Sequence, residues 1–227
     1  MGQSMPYNTI KTIPTIARGS QLSRAQVQEV LLELKNFYPD ITFDSLFINT
    51  LGDKDKITSL RTLDKTDFFT REIDEWQREK RGFVAIHSAK DLPDPLPSHL
   101  MIAAIARGVD SSDSIVFRAH ETLESLPKGA KIATSSIHRE QRVQALRQDC
   151  SFVDIRGTIE ERLLQLEQCT IDALVVAEAA LIRLQLTHLH RMKLPGETAV
   201  GQGQLALVVR KEDYALQELL KPLDVRR

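Results

Sequence analysis

Four short polar clusters in this sequence combine residue types that suit the recognition of small anions. They are Arg18-Gly19-Ser20, His87-Ser88-Ala89-Lys90-Asp91, Thr134-Ser135-Ser136 and Arg156-Gly157-Thr158. Arginine presents a planar fork of donors that can grip a carboxylate through two bonds at once. Serine and threonine ahead of a helix cap it, and with the free N–H groups of the first turn they also form an anion site. Asp91 is the one carboxylate in the four clusters, and a carboxylate there can stabilise a developing cation or move a proton. The chemistry indicated is binding of a small polycarboxylate, with cationic intermediates managed by one aspartate. Plainer readings stand beside it. Gly19 and Gly157 can be turn glycines, and Thr134–Ser136 only a cap. Lys90-Asp91 can be a local ion pair, and Arg139, Arg142 and Arg147 a solvated helix face. His87 taken alone reads as structural. What favours function is convergence.

That convergence depends on the elements that carry the clusters. Thr12–Ala17, Ile41–Ile48, Phe83–Ile86 and Leu100–Ile105 read as strands, with helices at Gln21–Phe37, capped by Ser20, and Phe68–Lys80. The second half repeats the grammar. Strands are expected at Ser114–Phe117, Lys131–Ala133, Ser151–Ile155, Ala173–Ala177 and Leu205–Arg210. Helices are expected at Ile137–Leu146, Ile159–Gln168, Glu178–Leu184 and Asp213–Leu220. Strands separated by helices indicate an α/β fold. The expectation is two similar lobes with mainly parallel sheets flanked by helices, periplasmic-binding-protein-like, with a cleft between them. Residues 1–106 and 205–227 are assigned to the first lobe and 107–204 to the second. Ligands of open α/β sheets bind beyond the carboxyl ends of the strands, and all four clusters fall there.

The bulk numbers narrow the alternatives. Among 227 residues, 30 basic against 31 acidic side chains leave a net charge of −1, so any attraction for anions is local. With 5% aromatic residues there is neither a basic stripe nor a stacking surface for nucleic acid. No run approaches the roughly 18 apolar residues of a membrane span. Met1–Thr12 is polar and lacks a signal-peptide core, with Met1–Ser4 read as a cloning remnant. Two cysteines, Cys150 and Cys169, form neither a disulfide framework nor a zinc signature, so no metal is expected. A cytoplasmic monomer is the expectation.

The motifs together resemble the porphobilinogen deaminase (hydroxymethylbilane synthase) family, in order and over nearly the whole chain. Ala17–Ser23 is similar to its N-terminal arginine loop, and Phe69–Ile73 to its Phe-Thr-Lys-Glu-Leu stretch. His87–Pro93 is similar to its His-Ser-x-Lys-Asp-Val-Pro motif. Thr134–Arg139 resembles Thr-Ser-Ser-Leu-Arg-Arg, and Asp154–Thr158 resembles Ile-Arg-Gly-Asn with Arg162 following. Asp172–Leu184 matches an apolar helix that places Arg183, and Ala199–Gly203 matches Ala-x-Gly-Gln-Gly. The resemblance implies a transferase of tetrapyrrole (haem) biosynthesis that joins four porphobilinogen units into hydroxymethylbilane, releasing ammonia at each step. It implies that Asp91 stabilises the cationic methylene-pyrrolenine and the pyrrole N–H groups. Acetate and propionate groups fall to Arg18, Lys90, Arg139, Arg156, Arg162 and Arg183, with neutral hydrogen bonds from Ser20, Thr134, Ser135 and Ser136.

The family tethers its growing chain through a dipyrromethane cofactor on a cysteine of a third domain, and this sequence ends where that domain would begin. No cysteine matches the attachment position. Cys150 precedes a strand, and Cys169 lies between a helix and a strand, which puts both on the edge opposite the clusters. Other departures are His138 for the first arginine of the Arg-Arg pair, Asp67-Phe68 for Gly-Leu, Ser112 for an arginine and Thr158 for asparagine. A non-catalytic two-lobed binding protein for a pyrrole or another small polycarboxylate is the alternative.

Overall fold

The computed structural model describes residues 12–63 and 65–226. The polar stretch ahead of Thr12, including Met1–Ser4, lies outside them. Two compact units are present. The first contains the described residues up to Lys54, Lys65–Gly108 and those from Gln204 onward. The second contains Val109–Gly203 and the segment that begins at Asp55 and leads up to Lys65. That segment groups with the second unit although the sequence reading assigns 1–106 to the first lobe.

In the first unit, five strands form one sheet: β1 (Thr12–Arg18), β2 (Thr42–Ile48), β3 (Val84–Ser88), β4 (Leu100–Ala106) and β10 (Leu205–Arg210), ordered β2-β1-β3-β10-β4. Three helices accompany it: α1 (Gln21–Phe37), α2 (Leu51–Lys54) and α3 (Arg71–Arg78). A fourth, α7 (Tyr214–Leu220), follows β10. Val27, Val30 and Leu34 form the buried stripe of α1 and pack with Val84, Ile86, Leu205 and Leu207 on one sheet face. The opposite face packs Ile16, Ala85, Ala206 and Val208 against Ile73 of α3. Strand β10 is buried at all six positions, as a strand covered on both faces requires.

The second unit repeats the design with β5 (Asp113–Phe117), β6 (Lys131–Ala133), β7 (Ser151–Val153), β8 (Ala173–Ala177) and β9 (Arg191–Leu194), ordered β7-β6-β8-β5-β9. Helices α4 (Ile137–Leu146), α5 (Ile159–Glu167) and α6 (Glu178–Arg183) complete it.

Each sheet is mixed. In the first, β2, β1 and β3 pair in parallel, while β10 runs antiparallel to both β3 and β4. In the second, β7, β6 and β8 pair in parallel and β5 runs against β8 and β9. The expected parallel character survives in direction, since one strand of each sheet opposes the other four. It does not survive in the pairings, half of which are antiparallel. The reversed strands, β5 and β10, are the first strands after the chain crosses between units at Gly108–Val109 and at Gly203–Gln204.

Several boundaries differ from expectation. Helix α3 begins at Arg71, not Phe68, because Thr70 and Arg71 donate to the Asp67 carbonyl and close a turn there first. Strand β7 ends at Val153, and the unexpected β9 forms the sheet edge beside β5.

Candidate functional site

Parallel pairing of β1 with β3 brings the carboxyl ends of both strands side by side, so Arg18-Gly19-Ser20 and Ser88–Asp91 share one edge of the first sheet. Ser20 caps α1 by accepting the Ser23 N–H at 3.2 Å. Gln26 on that helix donates to Ser88 Oγ at 2.9 Å, tying the helix start to the second cluster. Arg18 gives its Nε to Asp53 Oδ1 at 3.1 Å and pairs the same carboxylate through Nη2, while its guanidinium carbon lies 4.3 Å over the Phe69 ring. Asp53 is held in turn by the backbone N–H and hydroxyl of Thr50, each at 2.9 Å. Burial works against the ionised Asp53, but Arg18 and the Thr50 donors outweigh it and lower its pKa.

Ala89–Asp91 forms a short 3₁₀ turn. Lys90 is half-buried in it and Asp91 is exposed. Asp91 has no hydrogen bond or ion pair among the described residues. His87, on β3, is buried at 6% exposure, and its Nε2 has no hydrogen-bond partner among the described residues. Burial first, and then the charge of Arg18, push its pKa down to about 4, with Asp91 pulling weakly the other way. The imidazole is therefore neutral at physiological pH and leaves the Arg18 and Asp91 charges unmasked.

In the second unit, β6 pairs in parallel with β7 and β8. Thr134, Ser135 and Ser136 leave β6 and lead into α4. Ser136 is the N-cap, accepting from Arg139 N–H at 3.5 Å, and Thr134 Oγ1 accepts from Ser136 N–H at 3.2 Å. Ser135 Oγ donates to the Ile155 carbonyl at 2.6 Å and accepts its N–H at 3.1 Å, locking the first cluster to the strand end that carries Arg156. Arg156 Nη2 donates to the Asp55 carbonyl at 2.5 Å. Arg162 Nε donates to Gly157 O at 2.9 Å, and Arg183 Nη2 to Gly203 O at 2.9 Å. Arginines expected to face a ligand thus also brace the loops around them.

Arg139 and Arg142 do not form a solvated helix face. Both pair with Asp113, which is 2% exposed. Arg142 further donates to the Leu194 and Pro195 carbonyls at 2.6 and 2.9 Å. Asp113, Arg142, Asp53, Phe69 and Gln202 were not among the expected site residues. An acidic residue opening a strand that is otherwise Ser114 and three apolar residues, and a glutamine between two glycines, were the available signals.

The departures acquire local explanations. The charge added by Asp67 is matched by Arg71, with bonds of 2.8 and 2.9 Å, which holds the Asp67 carboxyl below its ordinary range. Thr158 makes a reciprocal capping box with Glu161 at the start of α5. Ser112 binds the Asp110 carboxylate through its N–H at 2.7 Å. His138 is exposed.

Both cysteines are free. Cys150 precedes β7 and Cys169 precedes β8, at the ends of those strands opposite the polar clusters. Burial pushes the Cys150 thiol upward in pKa, against the thiolate that covalent attachment requires. Among the described residues no group of three or more His, Cys, Asp or Glu side chains is arranged to hold a metal. None of their helices is long and apolar enough to cross a membrane.

Comparison with known proteins agrees with these motifs. A family model described as porphobilinogen deaminase, dipyromethane cofactor binding domain, matches residues 13–218. The porphobilinogen deaminase of Alkaliphilus metalliredigens is 36% identical over 214 residues, covering 93% of this chain and 68% of that protein. The probable porphobilinogen deaminase of Chlamydia pneumoniae is 36% identical over 207 residues, covering 91% and 88%. Two solved structures share the fold at low identity. The probable amino-acid ABC transporter extracellular-binding protein ytmK of Bacillus subtilis has a TM-score of 0.57 at 11% identity, over 95% of this chain and 91% of that one. The periplasmic VFT2 domain of Bordetella pertussis BvgS has a TM-score of 0.55 at 13% identity, over 94% and 87%.

Proposed function

Because this chain belongs to the porphobilinogen deaminase family, we propose that Asp91 is its catalytic carboxylate and that the strand-end arginines bind acid groups of pyrrole ligands. The family's reaction is that of hydroxymethylbilane synthase, a transferase that condenses porphobilinogen units with loss of ammonia in tetrapyrrole biosynthesis. The single observation that carries the reading is the state of Asp91. It is an exposed carboxylate with no hydrogen bond or ion pair among the described residues, in the cluster next to Arg18.

The residues suit both the substrate and the dipyrromethane group that the family model names. Each carries acetate and propionate side chains on pyrrole rings with N–H donors. Arg18 and Arg139 commit their Nε and Nη2 atoms to Asp53 and Asp113 and leave Nη1 without a partner among the described residues. Those Nη1 groups, with Lys90, Arg156, Arg162 and Arg183, supply carboxylate donors, and Ser20, Thr134, Ser135 and Ser136 supply neutral ones. When bound, the dipyrromethane supplies the covalent anchor for chain growth. No cysteine of this chain is proposed to hold it.

In the first step the C–N bond of the substrate's protonated aminomethyl group breaks and ammonia leaves with the bonding pair. Positive charge then develops over the methylene carbon and the pyrrole nitrogen. Asp91 stabilises that charge and accepts from the pyrrole N–H. Neutral His87 beside it adds no competing cation. The protein acts as a monomer in the cytoplasm.

Turnover of porphobilinogen to ammonia and a linear tetrapyrrole tests the reading. Asp91→Asn is expected to lower kcat by about 10²–10³-fold, the scale of losing one electrostatic stabiliser, while calorimetric binding persists. Arg156→Ala is expected to weaken binding instead. Binding without turnover by the unaltered protein would favour a binding protein over an enzyme.

A further inference from the structure

Asp113 opens β5, and its carboxylate is the hub of a buried network in the second unit. Oδ1 accepts from Arg139 Nε at 3.0 Å, Arg139 Nη2 at 2.6 Å and Gln202 Nε2 at 2.9 Å. Oδ2 accepts from Arg142 Nη1 at 2.6 Å. Gln202, 4% exposed, also donates to the Ser111 carbonyl at 2.8 Å and lies 3.4 Å from Arg139 Nη2. Arg142 is further occupied by the Leu194 and Pro195 carbonyls. Two guanidinium groups against one carboxylate leave one positive charge in excess. It falls on Arg139, which keeps Nη1 uncommitted among the described residues and is the more exposed of the pair, at 15% against 10% for the side chains.

A guanidinium tethered by one edge has few rotamers to lose when its other edge meets a carboxylate, and preorganisation of this kind strengthens binding without a new contact. A carboxylate that anchors such an arginine must itself be fixed. Asp113 is fixed by Arg142 on one oxygen and by Gln202 on the other.

We propose that Asp113 is a positioning residue for substrate binding: it holds the Nε–Nη2 edge of Arg139 and so presents Nη1 to a carboxylate of the pyrrole. Arg142 and Gln202 hold Asp113 in place and touch no ligand. The inference rests on the reading of Arg139 as a carboxylate-binding residue.

The test is a double-mutant cycle on the full chain, reading the calorimetric Kd for porphobilinogen and, where turnover is present, KM and kcat. Arg139→Ala is expected to weaken binding about tenfold, the size of one lost charge-assisted hydrogen bond. Asp113→Asn is expected to raise Kd and KM by a similar factor with kcat held. In an Arg139→Ala background, Asp113→Asn is expected to add nothing. If Arg139→Ala leaves binding unchanged, the assignment of Arg139 falls and the inference falls with it. If Arg139→Ala weakens binding but Asp113→Asn does not, or if the two losses add, the inference alone is overturned. Should Asp113→Asn fail to fold, Gln202→Ala loosens the same clamp. It is expected to raise Kd by a smaller factor that disappears in the Arg139→Ala background, and an unchanged Kd would overturn the inference. Binding with this pattern but without turnover would sustain it while removing the catalytic reading.

Discussion

Arg18 and Asp53 meet through a side-on ion pair at the end of β1, with Nε 3.1 Å from Oδ1 and Nη2 on the same oxygen, while Phe69 lies beneath the guanidinium. The arrangement mirrors Arg139 and Asp113 in the other unit. In each, an aspartate takes the Nε–Nη2 edge and Nη1 remains.

Asp53→Asn is therefore expected to weaken porphobilinogen binding and to cost stability. Both side chains are partly exposed, at 28% and 17%, so solvent screens the pair. The expected loss is about 1–2 kcal/mol, between the values for surface and buried ion pairs. Urea unfolding measures it. An unchanged midpoint would show that Thr50 and Phe69 hold the loop unaided.

His87 gives the pH dependence its sign. Its pKa falls from 6.5 to about 4 in the folded protein, because burial and Arg18 disfavour the imidazolium. Below pH 6.5 the unfolded chain takes up a proton that the folded one refuses. Stability is thus full above 6.5 and is lost as pH falls towards 4, by an amount on the order of 3 kcal/mol. His87→Leu is expected to flatten that part of the profile. An NMR titration that finds the ring protonating near 6.5 would remove the basis for this prediction.

Gly203 has φ +81°, and a Cβ there would lie 2.2 Å from the Asp110 carbonyl oxygen. Both the backbone conformation and the contact exclude a side chain. Gly203→Ala is expected to destabilise by about 2 kcal/mol or more, read from the urea midpoint, since the clash is with backbone that cannot swing away. It should also disturb Arg183, which donates to the Gly203 carbonyl.

Local pattern made much of this legible. The 3.6 period of α1, its Ser20 cap and the strand-end placement of the four clusters are all readable along the chain, because each rests on residues a few positions apart. Strand β9 was not, since Arg191-Met192-Lys193-Leu194 reads as polar and forms only because an edge position tolerates its charges. The reversal of β5 and β10 was not, because pairing direction depends on distant segments. Arg139 and Arg142 at helical spacing looked solvated, since nothing in their neighbourhood reveals that a carboxylate from β5 comes to rest against them. Asp113 was hidden in the polar run Asp110–Ser114, where nothing local sets it apart from Asp110. Residues that hold a binding side chain in place are brought to it by topology, and for that reason no local motif reveals them.

The place of β10 between β3 and β4 has a consequence for biosynthesis. The second sheet has all its strands once Leu194 has emerged from the ribosome. The first sheet begins at Thr12 and the second at Asp113, yet the first must wait for Leu205–Arg210 before β3 and β4 can be joined. Until then β4 has no partner strand and the edge of β3 that β10 will pair lies open. The nascent chain thus matures from its middle outward, and the half made first is the half that a holding chaperone must shelter longest.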